Sequence, residues 1–147
     1  VTDIAAAFPD RRIIVKFKSL LRSAEATEKY KRDWVSRHSN IEIAPIEQDP
    51  YELMLKVSFL VSDPSSIVAE AINFGVKSFV LDMENWESLV FRDYPDLCVR
   101  DCPEFIQRVR DIEAGLVDYP FDQFSGLIAP QDQTLSERLY SELQIYT

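Results

Sequence analysis

Val57-Ser58-Phe59-Leu60-Val61-Ser62-Asp63-Pro64-Ser65-Ser66-Ile67-Val68-Ala69-Glu70-Ala71-Ile72-Asn73-Phe74-Gly75-Val76-Lys77-Ser78-Phe79-Val80-Leu81-Asp82 is the stretch on which the fold turns. Val57–Val61 is a short, nearly continuous apolar run, as a strand covered on both faces requires. It gives way to Asp63-Pro64, a pairing that predicts a helix start: aspartate caps well and proline suits the first helical position. Ile67, Ala71 and Phe74 follow at helical spacing, and Val68 and Ile72 widen that stripe. Gly75 stands where a helix ends in the left-handed conformation, and Ser78–Leu81 returns as a second buried strand. Strand, helix and strand fit the roughly 30 residues of a right-handed βαβ crossover, which predicts a parallel sheet.

The flanking sequence continues the alternation. Upstream, Val1–Phe8 reads as a helix stopped by Pro9, and Arg12–Phe17 as a buried strand. Ala24–Arg37 reads as a helix with Tyr30 and Trp34 one turn apart, followed by a short strand at Ile41–Ile43. Asp49-Pro50 starts another short helix, with Leu53 and Val57 expected on its buried side or at its exit. Downstream, Leu97–Val99 reads as a last strand. Pro103–Leu116 reads as a helix whose Phe105, Val109, Ile112 and Leu116 keep a 3.6-residue period. An aromatic loop at Tyr119–Pro130 leads to a final helix with Leu135, Leu139 and Leu143 at four-residue intervals. The expected fold class is α/β: a Rossmann-like three-layer domain over residues 1–147, with a mainly parallel sheet of four or five strands.

Length and composition agree with one such unit. A chain of 147 residues buries roughly 70% of its unfolded surface, so it needs no disulfide or metal to stay folded. With 46% hydrophobic residues it is not a disordered chain, and no apolar run approaches the roughly 20 residues of a membrane span. No signal for export is present, so the expected location is cytoplasmic, with any membrane contact made at the inner face through a parent protein. The chain opens at Val1 without methionine, as expected of a piece of a longer protein. Its 16 Lys+Arg against 25 Asp+Glu give a net charge of −9, which disfavours nucleic acid as a partner. Basic residues nevertheless gather at Arg11, Arg12, Lys16, Lys18 and Arg22, then at Lys29, Lys31 and Arg32. They read either as solvated faces or as a local anion site. Cys98 and Cys102 are expected to stay reduced, and with His38 as the sole histidine no metal site or cofactor is expected.

In open parallel sheets ligands bind beyond the carboxyl ends of the strands, which points to Lys16–Leu20, Ser62–Ser66 and Asp82–Trp86. The middle segment has the clearest mechanism. Ser65 and Ser66 fall in the first turn of a helix, where unpaired N–H groups and serine hydroxyls suit a phosphate. Glu70, one turn on, suits the vicinal hydroxyls of a sugar. The plainer reading is a capped helix with a solvated Glu70. Glycine excludes other nucleotide folds: with Gly75, Gly115 and Gly126 alone, no G-x-G-x-x-G, Walker or G-x-S-x-G motif can be written.

Phe59–Ala71, with the later Gly75 and Val80, resembles a stretch of the GT-B glycosyltransferases and of the sugar-nucleotide 2-epimerases and glycerophosphotransferases that share their fold. Phe8-Pro9 with Ile13–Lys16 is similar to the family's strand leading to a phosphate-facing basic residue. Asn40–Pro45 looks like its base-lining loop, and Phe121–Leu143 like the tail of capsular polysaccharide enzymes. The resemblance implies the donor-binding half of a GT-B transferase of bacterial polysaccharide synthesis, its partners a nucleotide-sugar donor and a missing N-terminal acceptor domain. It implies that Ser65 and Ser66 hold the diphosphate, Glu70 the ribose, Lys16 an anion and Pro45 the base, with Asp63 in the same nucleotide-binding segment. Catalytic residues are left unassigned, and the isolated half is expected to be inactive. A 2-epimerase-like or glycerophosphotransferase-like domain using the same cradle is one alternative, and a Rossmann-like protein-interaction domain without ligand is the alternative from a different class.

Overall fold

The computed structural model describes residues 1–17, 24–83, 91 and 93–127. Five helices and five strands alternate along them. They run α1 (Thr2–Ala7), β1 (Ile13–Val15), α2 (Ala24–Arg37), β2 (Ile41–Ile43), α3 (Pro50–Met54) and β3 (Phe59–Ser62). The order continues with α4 (Ser66–Asn73), β4 (Lys77–Leu81), β5 (Cys98–Val99) and α5 (Cys102–Glu113). Short 3₁₀ segments cover Pro95–Leu97 and Phe121–Leu127. The final leucine-striped helix expected from the sequence, with Lys18, Arg22 and Glu84–Trp86, lies outside the described residues.

Every strand pairing is parallel, as the alternation requires. The strands form two groups: β1 beside β2 with Ile13 opposite Ile41, and β3-β4-β5 with β4 in the middle. The expected single sheet is thus two parallel sheets among the described residues. The fold is mixed α/β. In β4, Phe79 and Val80 point to opposite faces and are both buried, so the larger sheet is covered on each side. The Phe79 ring meets Phe105 of α5 and Tyr119 edge-on at 5.6 Å. Val68 and Ile72 of α4, Leu97, Val99 and Phe124 complete that core, with Ile4, Ala7 and Phe8 of α1 laid against it. Met54, Ala71 and Val76 form a smaller cluster between α3 and α4.

Helix ends explain where the elements stop. Gly75 has φ +73°, with its N–H on Ile72 O and the Val76 N–H on Ala71 O, a Schellman closure whose flanking apolar contact is Ala71 with Val76. Gly115 (φ +68°) closes α5 identically, through Ile112 O and Asp111 O. That turn corrects the expected helix over Pro103–Leu116. The chain leaves the helical path after Glu113, and Leu116 is 74% exposed instead of lying in the core. Phe74 is likewise a C-cap residue and half-exposed, while in α3 the fully buried residue is Met54, Leu53 is partly buried, and Val57 at the exit of the helix packs against the Met54 cluster as expected.

Two side chains hold the parts together. Asn40, just ahead of β2, places its Nδ2 3.0–3.1 Å from the carbonyls of Ala5, Phe8 and Arg11, tying the end of α1 to the smaller sheet. Tyr119 donates its hydroxyl proton to Ser78 O (2.7 Å) and accepts the Ser78 N–H (3.0 Å). In a parallel strand the N–H and C=O of one residue face the same neighbour. β5 begins opposite Val80, so Ser78 has no strand on that side and the phenol stands in for it. Burial pushes the Tyr119 hydroxyl up to about 12, against the opposing pull of the Ser78 backbone bond.

Candidate functional site

The carboxyl end of β3 leads directly into the segment singled out by the sequence. Asp63 does not cap α4. Ser65 does, with extended backbone at φ −161° and ψ 147°, and Ser66 is the first helical residue. The same Asp-Pro pair acts differently at α3, where Asp49 Oδ1 accepts the Tyr51 N–H at 2.9 Å and Pro50 opens the helix. The difference lies upstream. β3 runs to Ser62, and Asp63-Pro64 makes the bend out of the sheet, leaving the cap position to Ser65.

Ser65 makes no side-chain cap hydrogen bond, in contrast to Asp49 on α3 and to Asp101 on α5, whose Oδ1 accepts the Glu104 N–H at 2.8 Å. Its hydroxyl is therefore not engaged at the first turn of α4, and Ser66 beside it is exposed. Ser66 and Glu70 are four residues apart on one helix face. Glu70, however, is already engaged: its Oε2 accepts the Tyr51 hydroxyl at 2.5 Å, joining α3 to α4. That carboxylate, through the hydrogen bond first and its charge second, holds the Tyr51 phenol above its ordinary value. The Tyr51 ring also leans on Phe74 at 5.8 Å.

Lys16 and Pro45 sit elsewhere, at the carboxyl ends of β1 and β2. Lys16 Nζ donates to Ile46 O at 2.5 Å, across the exit of the smaller sheet, and Pro45 is exposed next to it. Asn40–Pro45, expected as a base-lining loop, is largely strand β2 itself. The candidate residues thus fall into two groups, Lys16 with Pro45 and Asp63, Ser65 and Ser66 with Glu70. No hydrogen bond or ion pair among the described residues joins them.

Of the basic cluster near the start, Arg11, Arg12, Lys16 and Lys31 are committed to structure. Arg11 pairs with Glu113 at 2.5 Å and Arg12 with Glu42 at 3.5 Å. Arg11 and Arg110 each lie 5.8 Å from the Phe8 ring centroid, and Lys31 pairs with Glu28 one helical turn away. The carboxyl edge of the larger sheet is acidic instead, with Asp63 after β3, Asp82 after β4 and Asp101 just past β5. At its far corner burial works against the charged form of Glu104. The Arg100 N–H and the Arg108 guanidinium outweigh it and hold that carboxyl below its usual value.

Among the described residues no group of three His, Cys, Asp or Glu side chains could hold a metal ion. Cys98 and Cys102 are free thiols, and burial pushes the Cys98 thiol up. No helix of the described residues is long and apolar enough to cross a membrane. Sequence reasoning missed Tyr51 as the partner of Glu70, although its place one residue into an Asp-Pro helix start put it on a structured element. The chain matches no family model, and no curated protein or solved structure matches it.

Proposed function

We propose that the chain is the donor-binding half of a GT-B-type glycosyltransferase, a Rossmann-like unit that holds the diphosphate of a nucleotide sugar at the start of α4. The observation that carries this reading is the uncommitted Ser65 hydroxyl at a helix cap directly beyond a parallel strand. First-turn N–H groups, Ser65 and Ser66 then stabilise the charge of the departing nucleoside diphosphate. Ribose hydroxyls compete with Tyr51 for Glu70. Asp63 and Asp82 on the same edge oppose a dianion. A Kd of roughly 0.1–1 mM, near −4 to −5.5 kcal/mol, is therefore the expected range for this half alone. Titration with uridine diphosphate, followed through the amides of Ser65, Ser66 and Glu70, tests it. Those amides should shift, and Ser65→Ala with Ser66→Ala should weaken binding without unfolding the protein. Saturating nucleotide that leaves the three amides unmoved sinks the proposal. No sugar transfer by residues 1–147 alone is expected, because the acceptor half supplies the second substrate.

The contact between Glu70 and Tyr51 favours a second reading, a unit of the same fold that binds a protein partner and no nucleotide. The nucleotide titration separates the two, since this reading expects no shift at any concentration.

A further inference from the structure

Tyr51, Leu55 and Phe74 make an apolar patch on α3 and the end of α4. Leu55 is 74% exposed, and Tyr51 and Phe74, whose rings lie 5.8 Å apart, are each 45% exposed. A folded surface seldom leaves a leucine and two neighbouring aromatic rings together unless something binds there. The patch is joined to the donor residues. Tyr51 donates its hydroxyl proton to Glu70 Oε2 at 2.5 Å, while Glu70 Oε1 accepts no hydrogen bond from the described residues. Glu70 is thus the joint between a polar stretch and an apolar one.

The order along α4 decides what fits. Ser66, Glu70 and Phe74 follow one another at four-residue steps, each about 6 Å along the helix. They bring a hydroxyl with first-turn N–H groups, then a carboxylate, then aromatic rings. A nucleoside diphosphate presents the matching series: an anion, vicinal hydroxyls, then a flat base. Tyr51 suits the last of these, since its ring leans on Phe74 yet stays half-exposed, and Leu55 stands one turn further along α3. The short helix does not depend on that ring for its place, because Met54 is buried with Ala71 and Val76.

Given the diphosphate seat at Ser65 and Ser66, on which this inference rests, we propose that the base of the nucleotide stacks on Tyr51, flanked by Leu55 and Phe74. Tyr51 is then the base contact of the donor site, in place of Pro45. Stacking on an aromatic ring is tolerant of base identity, because every base has a π-face, so uracil and adenine are both accepted.

Titration of the full chain with inorganic pyrophosphate and with uridine diphosphate, followed by NMR, tests the proposal. Pyrophosphate should shift the Ser65 and Ser66 amides and leave the ring signals of Tyr51 and Phe74 in place. Uridine diphosphate should shift both sets, with nuclear Overhauser contacts from the uracil ring protons to the Leu55 methyls. Tyr51→Leu should weaken uridine diphosphate about tenfold and leave pyrophosphate affinity unchanged. Tyr51→Phe, which keeps the ring, should bind uridine diphosphate at least as tightly as the parent. Shifts at Ser65 and Ser66 with no response at Leu55 and Phe74, or uracil contacts to Pro45, overturn the base assignment and leave the donor reading standing. So does an equal loss of both ligands in Tyr51→Leu, which would make Tyr51 a support of the fold alone. Silence of Ser65 and Ser66 toward both ligands removes the donor reading, and the base assignment falls with it.

Discussion

Asn40 shows how much one amide can hold. Its two N–H hydrogens are shared among three carbonyls, so alanine leaves those oxygens without their donor, at a cost of about 1–3 kcal/mol. Asn40→Asp should cost more than Asn40→Ala, because it sets carboxylate oxygens against carbonyl oxygens. Urea denaturation of both variants checks the order, and an aspartate variant as stable as the alanine one would remove the amide from this role. Tyr119 makes the second case. Its folded-state value lies above the ordinary value of about 10, so its contribution is intact below pH 10 and declines as pH rises toward 12. Tyr51 acts in the same direction. Tyr119→Phe should lower stability at pH 7 by about 1–3 kcal/mol through the unpaired Ser78 backbone, and should flatten the loss between pH 10 and 12. Melting curves over pH 7–12 for both proteins give the comparison. Equal alkaline slopes would mean that other groups govern that limb.

Helix caps are the informative feature at the scale of elements. Asp49 and Asp101 each accept a first-turn N–H, and replacing either by alanine should cost about 1 kcal/mol. Ser65→Ala should cost clearly less, since its side chain makes no such bond. A Ser65→Ala penalty matching the aspartates would show a cap that forms in solution, and would weaken the case for a ligand at that hydroxyl. At the other ends, Gly75→Ala and Gly115→Ala meet no atom within 4 Å, so their penalty of about 1–2 kcal/mol is purely that of a left-handed backbone. Thermal unfolding of the two variants measures it. The elements themselves were largely legible in the sequence. α2 keeps the predicted bounds, and the crossover from Phe59 to Leu81 follows from apolar runs punctuated by Asp-Pro and Gly. Periodicity overran at Phe74, the C-cap just before Gly75, and at Leu116, just after Gly115, because an apolar residue beside a glycine-closed end fits the repeat while the helix has already ended. The candidate site was less legible. Spacing placed Ser65 and Ser66 at a helix start, but only the third dimension brings Tyr51 onto Glu70 and Lys16 onto the Ile46 carbonyl.

Over the whole molecule, stability is divided between the two sheets. The three-stranded one is buried on both faces around Phe79 and Val80, whereas the pair β1-β2 is two strands of three residues with few buried side chains. A two-stranded sheet is marginal without further packing. Amides of Ile13 and Ala44, which close the β1-β2 ladder, should therefore exchange faster than those of Phe79 and Val80. Asn40→Ala should widen the gap by loosening the smaller sheet alone. Uniform exchange across both sheets would show one cooperative unit instead.

The phenol that stands in for a missing strand carries a consequence for how the protein is made. Ser78 and Tyr119 are 41 residues apart, so on the ribosome β4 emerges long before the group that completes it. At ordinary synthesis rates the interval is roughly 2–8 s, during which the strand can pair with β3 while one flank stays open to solvent and to other nascent chains. A transcript that stops before codon 119 would yield a polypeptide with that flank open for good, prone to bind strands from its neighbours. Phe124, whose ring lies 5.5 Å from Tyr119, seals the same corner, so a piece that ends before it leaves the phenol incompletely packed.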